Sequence, residues 1–288
     1  MKTKSNSFLR LSAITVAITL AALPSARAAN ATWSTTPTNV DWNVAGNWDV
    51  LPTTGTSLVF GNSTQTTLNN DLTSDSFNIA GITFNVGSPA YTISGNAFAL
   101  TGGITNSSSN LQTINDAFSM TAARTFTTVG GITLGGNVTG TGGGITKAGA
   151  GTLSLTGISN AWTGNTTVNA GTLNLNGGFG GTIGSSSSIF GVGLNNGVNG
   201  ATTAVGTVAT GAVANIGGGT YTLSQLSVGY TNFNMAGSGW LTMTNGTITA
   251  TNSTGYFVIG GENQKPGNGQ LGIGQVDLSG NSVINFNY

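Results

Sequence analysis

Residues 151–157 read Gly-Thr-Leu-Ser-Leu-Thr-Gly, and 20 positions later residues 171–177 read Gly-Thr-Leu-Asn-Leu-Asn-Gly. Apolar and polar residues alternate inside each copy, which is the period of a strand with one buried face. Glycine closes both ends and supplies the backbone freedom that tight turns need. A unit of about 20 residues cannot bury its own apolar face and has to stack on a neighbour. The same grammar runs through the chain, in Leu241-Thr-Met243 and Ile284-Asn-Phe286. Gly-Ile-Thr begins at Gly81, Gly103, Gly131 and Gly144, and Gly239–Gly246 is echoed 35 residues on by Gly274–Asn281. These features predict an all-β parallel β-helix. At about 20–25 residues per coil, residues 29–288 would make roughly 10–13 coils and a rod of roughly 50–60 Å.

Composition agrees. Good helix formers are scarce, while Thr, which is β-branched yet polar, suits the outside of a strand. Abundant Gly, Ser and Thr with few charges also describe a disordered chain. The 38 % of hydrophobic residues, held at regular phase, argue for order. Ser107–Asn110 and Ser185–Ser188 read as looped or frayed patches.

The first 28 residues read as a cleaved signal peptide. Lys2, Lys4 and Arg10 are followed by the apolar stretch Leu11–Leu23, then Pro24 and the small-x-small motif Ala26-Arg27-Ala28. The stretch is shorter than the roughly 20 residues of a membrane span, and no other long apolar run follows. Without this segment three basic residues face seven acidic ones. A chain so poor in Lys and Arg has no basic surface for nucleic acid.

There is no Cys or His among the 288 residues. Ser-His-Asp and Cys-His catalysis, zinc sites of Cys and His, and disulfides are therefore excluded. No cofactor is expected.

The stretch 145–175 runs Ile-Thr-Lys147-Ala-Gly149-Ala-Gly151-Thr-Leu153-Ser-Leu155, then Asn160-Ala-Trp162-Thr-Gly164, then Val168-Asn-Ala-Gly171-Thr-Leu173. It closely resembles the autotransporter-associated β-strand repeat, also called the passenger-associated transport repeat. Asn165 departs from the family's usual second glycine, and Asn tolerates the same left-handed backbone. Trp33, Trp42 to Trp48, Pro52 and Leu58-Val-Phe60 look like the opening of large secreted proteins that carry this repeat. The resemblance implies a right-handed β-helix, exported to a bacterial surface and often adhesive, with glycans, extracellular matrix or other cells as partners. The division it suggests is a cap region at 29–60 and β-helix repeats at 61–288. No segment has the length and pattern of outer-membrane barrel strands. The chain therefore reads as a fragment of a longer protein, anchored at the outer membrane if a further region supplies the anchor, or as a short secreted relative.

Several residues invite a chemical reading. A β-helix lyase would need Arg124, Lys147 or Lys265 as base. Lys147 is expected on the surface as part of the repeat, Arg124 in an ion pair with Asp116, and Lys265 in a polar turn with Glu262. A glycosidase would need paired carboxylates, for which Asp41/Asp49 and Asp71/Asp75 are the sequence candidates. Asn69-Asn-Asp71 reads as a turn, against such a pair. Gly267–Gly272 matches a dinucleotide-loop pattern without the flanking strand and helix. Asn137 and Asn165 head Asn-x-Thr triplets of the kind an Asn- and Thr-rich chain produces by chance. Trp33, Trp42 and Trp48 either stack sugar rings or plug the open end of the solenoid, and Trp162 and Trp240 suit corners. The reading is a non-catalytic structural or adhesive module. The alternatives are a carbohydrate-active lyase or hydrolase, and a glycan-binding module using the three N-terminal tryptophans.

Overall fold

The computed structural model describes residues 30–73, 77–176, 182–193, 212–229, 238–250, 257–260 and 273–286. The expected signal segment, Asp75, Glu262, Lys265 and the glycine motif at 267–272 lie outside the described residues. Among those described, all ladder pairings between strands are parallel and the strands belong to one continuous sheet. One three-residue 3-10 turn, Ala45–Asn47, is the only helical element among them. None of their helices is long and apolar enough to cross a membrane.

The sheet winds into a three-sided solenoid of about 8 complete turns among the described residues, the first face carrying one strand more at each end. At the ~4.8 Å spacing of strands that is roughly 40 Å. The first face carries Asn30–Thr32, Thr56–Phe60 and the end of Asn78–Phe84, then Ile104–Asn106, Ala123–Thr128, Gly144–Ala148, Thr166–Val168, Ile189–Val192, Gln225–Val228 and Phe257–Ile259. The second face runs from Thr67–Asn70 through Thr152–Leu155 to the leading half of Ser238–Ala250. The third face uses short strands such as Phe98–Leu100, Phe118–Ser119 and Ala161–Trp162.

The 20-residue repeat is one turn: Leu153 stacks on Leu173 and Leu155 on Leu175. Likewise Gly239 stacks on Gly274, 35 residues on. The four Gly-Ile-Thr copies are not equivalent. Ile82 and Ile104 share a column on the first face, Ile132 lies on the second, and Ile145 is displaced by two residues along the first. The strand count on the first face falls at the low end of what sequence spacing predicts because the later turns are long. Phe126, Lys147 and Val168 follow each other at 21 residues, whereas Val192 to Val228 takes 36.

Alternation builds the core as predicted. On the second face Leu68, Ile93, Ile114, Leu134, Leu155, Leu175, Ile216 and Met243 form one inward column, all buried. The residues between them point outward as Thr92, Thr113, Thr133, Ser154, Asn174, Asn215 and Thr242. Asn215 Nδ2 donates to Asn174 Oδ1 at 2.8 Å, and Asn174 Nδ2 to Ser154 Oγ at 3.3 Å, a ladder along the axis.

One local expectation fails. Thr67–Asn70 is a strand, so Asn69 and Asn70 are not a turn, because Leu68 supplies the inward residue that pins them to the core. Ser107–Asn110 is looped but not frayed. Ser108 is buried and donates to Ser88 O at 2.6 Å, and Asn110 Nδ2 to the same oxygen at 2.8 Å. Ser185–Ser188 is a turn closed by Ser188 N to Ser185 O at 3.0 Å.

Candidate functional site

The stretch around Lys147 holds the most specific polar arrangement among the described residues. Lys147 is not on the surface, as the sequence suggested; it is 0 % exposed. It occupies the inward column of the first face, directly between Phe126 and Val168. Its stem therefore packs as an apolar side chain would. The ammonium has three protons, and three carbonyls receive them: Ala148 O at 2.8 Å, Gly149 O at 2.7 Å and Ala170 O at 3.1 Å. Gly149 has φ +77° and Gly171 φ +66°, both in the left-handed region. A Cβ on Gly149 would lie 2.4 Å from Thr128 O, and one on Gly171 2.4 Å from Gly151 O. Glycine lets this corner stack turn on turn, and the ammonium ties two successive corners together. Burial pulls the Lys147 ammonium down to about 8. Trp162, also buried, donates Nε1–H to Thr166 Oγ1 at 3.0 Å, so the polar Thr166 is partnered within the core.

Residues 145–175 match the family of the passenger-associated-transport-repeat. The match supports the resemblance read from the sequence. No curated protein and no solved structure matches the chain. The matched residues run from Gly144–Ala148 on the first face to Thr172–Leu175 on the second, so the repeat is more than one full turn of the solenoid.

A second polar arrangement sits at the corner after the second face. Asp116 is 1 % exposed. Its Oδ2 accepts Asn70 Nδ2 at 3.2 Å and its Oδ1 has no partner. Asn70 lies two turns before Asp116, and the intervening corner residue is Gly95, which has no side chain to block the contact. Burial pushes the Asp116 carboxyl up to about 7, opposed by the Asn70 hydrogen bond. The expected Asp116–Arg124 ion pair does not form. Arg124 Nε donates to Leu100 O at 3.1 Å instead, while the Asp116 side chain turns into the core.

Three further carboxylates among the described residues have structural partners. Asp41 Oδ1 accepts Asn69 Nδ2 at 2.8 Å, Asp49 Oδ1 accepts Thr32 N at 2.6 Å, and Asp71 Oδ1 accepts Asn43 N at 2.8 Å. Asn137 Oδ1 accepts Ser159 N, and Asn165 Oδ1 accepts Ile189 N, both at 2.9 Å. A shallow depression of about 280 Å³ on the third face, between Ala97, Ala117, Ser119 and Thr139 and floored by Phe98 and Phe118, has no titratable side chain in its lining.

Trp33, Trp42 and Trp48 are buried. Trp48 meets Trp33 edge-on at 4.9 Å and Trp42 edge-on at 5.9 Å, and all three contact Phe60. Trp48 Nε1 donates to Trp42 O at 2.9 Å. No ring face is left for a sugar to stack on. Trp240 is half-buried in the strand Ser238–Ala250, so it sits in a strand and not at a corner. One organiser of this end escaped the sequence reading. Asn47 is buried, its Oδ1 accepts Thr38 N at 2.7 Å and Thr38 Oγ1 at 2.9 Å, and its Nδ2 donates to Asn39 Oδ1 and Asp41 O. Nothing in an Asn-rich chain marks that residue out.

Proposed function

We propose that this chain is a non-catalytic structural and adhesive module of a secreted or surface-exposed bacterial protein, wound right-handed like an autotransporter passenger. The observation that carries the reading is that the family repeat at 145–175 is laid into the solenoid as more than one full turn, with Lys147 in the inward column of the first face and Gly149 and Gly171 at the corners. The sequence candidates for acid and base chemistry that lie among the described residues are engaged in holding the scaffold. Lys147 is clamped by carbonyls, Asp116 is buried, and Asp41, Asp49 and Asp71 accept scaffold hydrogen bonds.

Contact with glycans, matrix or other cells would fall to the outer columns. Thr83, Thr105 and Thr127 stack on the first face, as do Thr125, Thr146 and Thr167. Hydroxyls repeated at ~4.8 Å offer many weak contacts whose strength comes from number. The test is a pull-down of residues 29–288 with insoluble polysaccharides and whole cells, scoring depletion and released sugar. Depletion without release is expected. Released sugar would overturn the non-catalytic assignment, and absence of depletion would overturn the adhesive one.

A further inference from the structure

The outer side of the second face presents the same kind of residue pair on turn after turn. Thr67, Thr92, Thr113, Thr133, Ser154 and Asn174 stack in one column. Two residues on, Ser94, Asn115, Gly135, Thr156 and Asn176 form a second. The ladders that carry them keep register from turn to turn, so both columns follow the axis. With ~4.8 Å between turns and ~6.7 Å between columns, they make a regular grid roughly 24 Å long. The hydroxyls of Thr92, Thr113 and Thr133 hold no hydrogen bond among the described residues. Ser94, Asn115, Thr156 and Asn176 are exposed. No residue of the grid is charged or aromatic, and neither are Leu111, Gly131, Thr152 and Thr172 beside it. Asp41 lies beyond its first-turn end, held by Asn69 Nδ2 at 2.8 Å. On the first face the corresponding columns are broken by Gly81, Gly103 and Ala148.

We propose that this grid is a track for one extended chain of an uncharged polysaccharide, lying along the solenoid axis. The proposal rests on the adhesive reading above and gives it a surface and a ligand class. Repetition is the first reason. A surface that repeats at each turn matches a ligand that repeats at each sugar, and an extended hexose chain advances by close to one strand spacing per sugar. A small ligand would engage only one or two turns. Chemistry is the second reason. Hydroxyl and amide groups both donate and accept, as sugar hydroxyls do. Charge is the third. An acidic or basic polymer would give up hydration against a face that has no countercharge, whereas neutral hydroxyls exchange water for protein partners at little cost. Each contact is weak, so strength grows with the number of turns engaged.

The test is depletion of the chain by two neutral extended polysaccharides, cellulose and insoluble mannan, and by cross-linked polygalacturonate, with soluble cello-oligosaccharides as competitors. Depletion by a neutral polymer is expected, with competition strengthening as the oligosaccharide grows through about five sugars, the length of the grid. Thr113→Lys sets a charged stem in the middle of the grid and should weaken binding about tenfold. Thr139→Lys, at an exposed position of the third face, should leave it unchanged. Thr92→Lys replaces the first variant if Thr113→Lys fails to fold, and melting curves decide which variants are folded. Undiminished binding in folded Thr113→Lys or Thr92→Lys, or a larger loss in Thr105→Lys on the first face, would overturn the track and leave the adhesive reading in place. Depletion by polygalacturonate alone, or by whole cells but none of the polysaccharides, would overturn the ligand class. Competition no stronger from long oligosaccharides than from a disaccharide would overturn the extended chain. No depletion by any polysaccharide or by cells would overturn the adhesive reading itself.

Discussion

Lys147 donates from Nζ to the carbonyl oxygen of Ala170 at 3.1 Å, reaching from one turn of the solenoid to the corner of the next. Its other two bonds, to Ala148 O and Gly149 O, stay within its own corner. One side chain thus closes a turn and fastens it to the following one. Lys147→Met keeps the stem and removes the ammonium, leaving three buried carbonyls without that donor. The expected loss is about 3 kcal/mol, read by urea unfolding. Lys147→Arg should not restore it, because the larger planar fork has to fit between Phe126 and Val168. Full stability in Lys147→Met would show that the clamp contributes nothing.

The glycines of this corner make a separate prediction. Gly149→Ala meets both a positive φ and a backbone oxygen at 2.4 Å, whereas Gly87→Ala meets a positive φ of +78° with nothing within 4 Å. Gly87→Ala should cost only the conformational strain, about 1 kcal/mol. Gly149→Ala should cost clearly more, since the stacked turns would have to separate. Thermal unfolding of the two variants side by side distinguishes the contributions, and equal losses would mean that close stacking is not what glycine supplies here.

Asp116 and Lys147 together predict an unusual pH profile. The Asp116 carboxyl lies at about 7 in the folded chain against 3.8 ordinarily. Between those values the unfolded chain releases this proton while the folded one keeps it, so stability falls as pH rises through the window. The Lys147 ammonium lies at about 8 against 10.5 ordinarily. Above about 8 the folded chain releases a proton that the unfolded one keeps, so stability rises again. Each group shifts stability by at most about 1.4 kcal/mol per pH unit inside its window. Melting temperature should therefore pass through a minimum between pH 7 and 8. Asp116→Asn should flatten the acid side of that minimum and leave the alkaline side in place. A monotonic profile in the unmodified chain would remove the argument.

Much of this architecture was legible in sequence because it depends on period. Leu153-Ser-Leu155 and Leu173-Asn-Leu175 announce both the strand and its stacking partner, and the turn length of 20 follows from their spacing. Turn count was not legible, since the 36 residues between Val192 and Val228 carry no repeat to mark where the chain rejoins its column. Lys147 was legible as a motif residue but was assigned the wrong environment. Composition places a lysine outside, and only the carbonyl geometry of the Gly149 corner makes an inside position tolerable. Asp116 fails for a related reason. Arg124 is near in sequence, but Asn70, two turns earlier, is the residue that the fold brings to it.

The tryptophan cluster gives the last prediction, which separates its role in folding from any role in binding. Trp42 is buried against Trp48 and Phe60 in the first turn. Trp42→Ala removes that packing and leaves a cavity, at an expected cost of about 3–5 kcal/mol. Trp48→Phe keeps most of the volume but removes the indole N–H that donates to Trp42 O, at an expected cost of about 1 kcal/mol plus the packing of the lost ring. If the outer Thr and Asn columns make the contacts, neither variant changes depletion by insoluble polysaccharide when equal amounts of folded protein are compared. A loss of binding in Trp48→Phe at full folding would instead mean that the first turn opens to admit a sugar. The buried rings would then have to be counted as the contact surface.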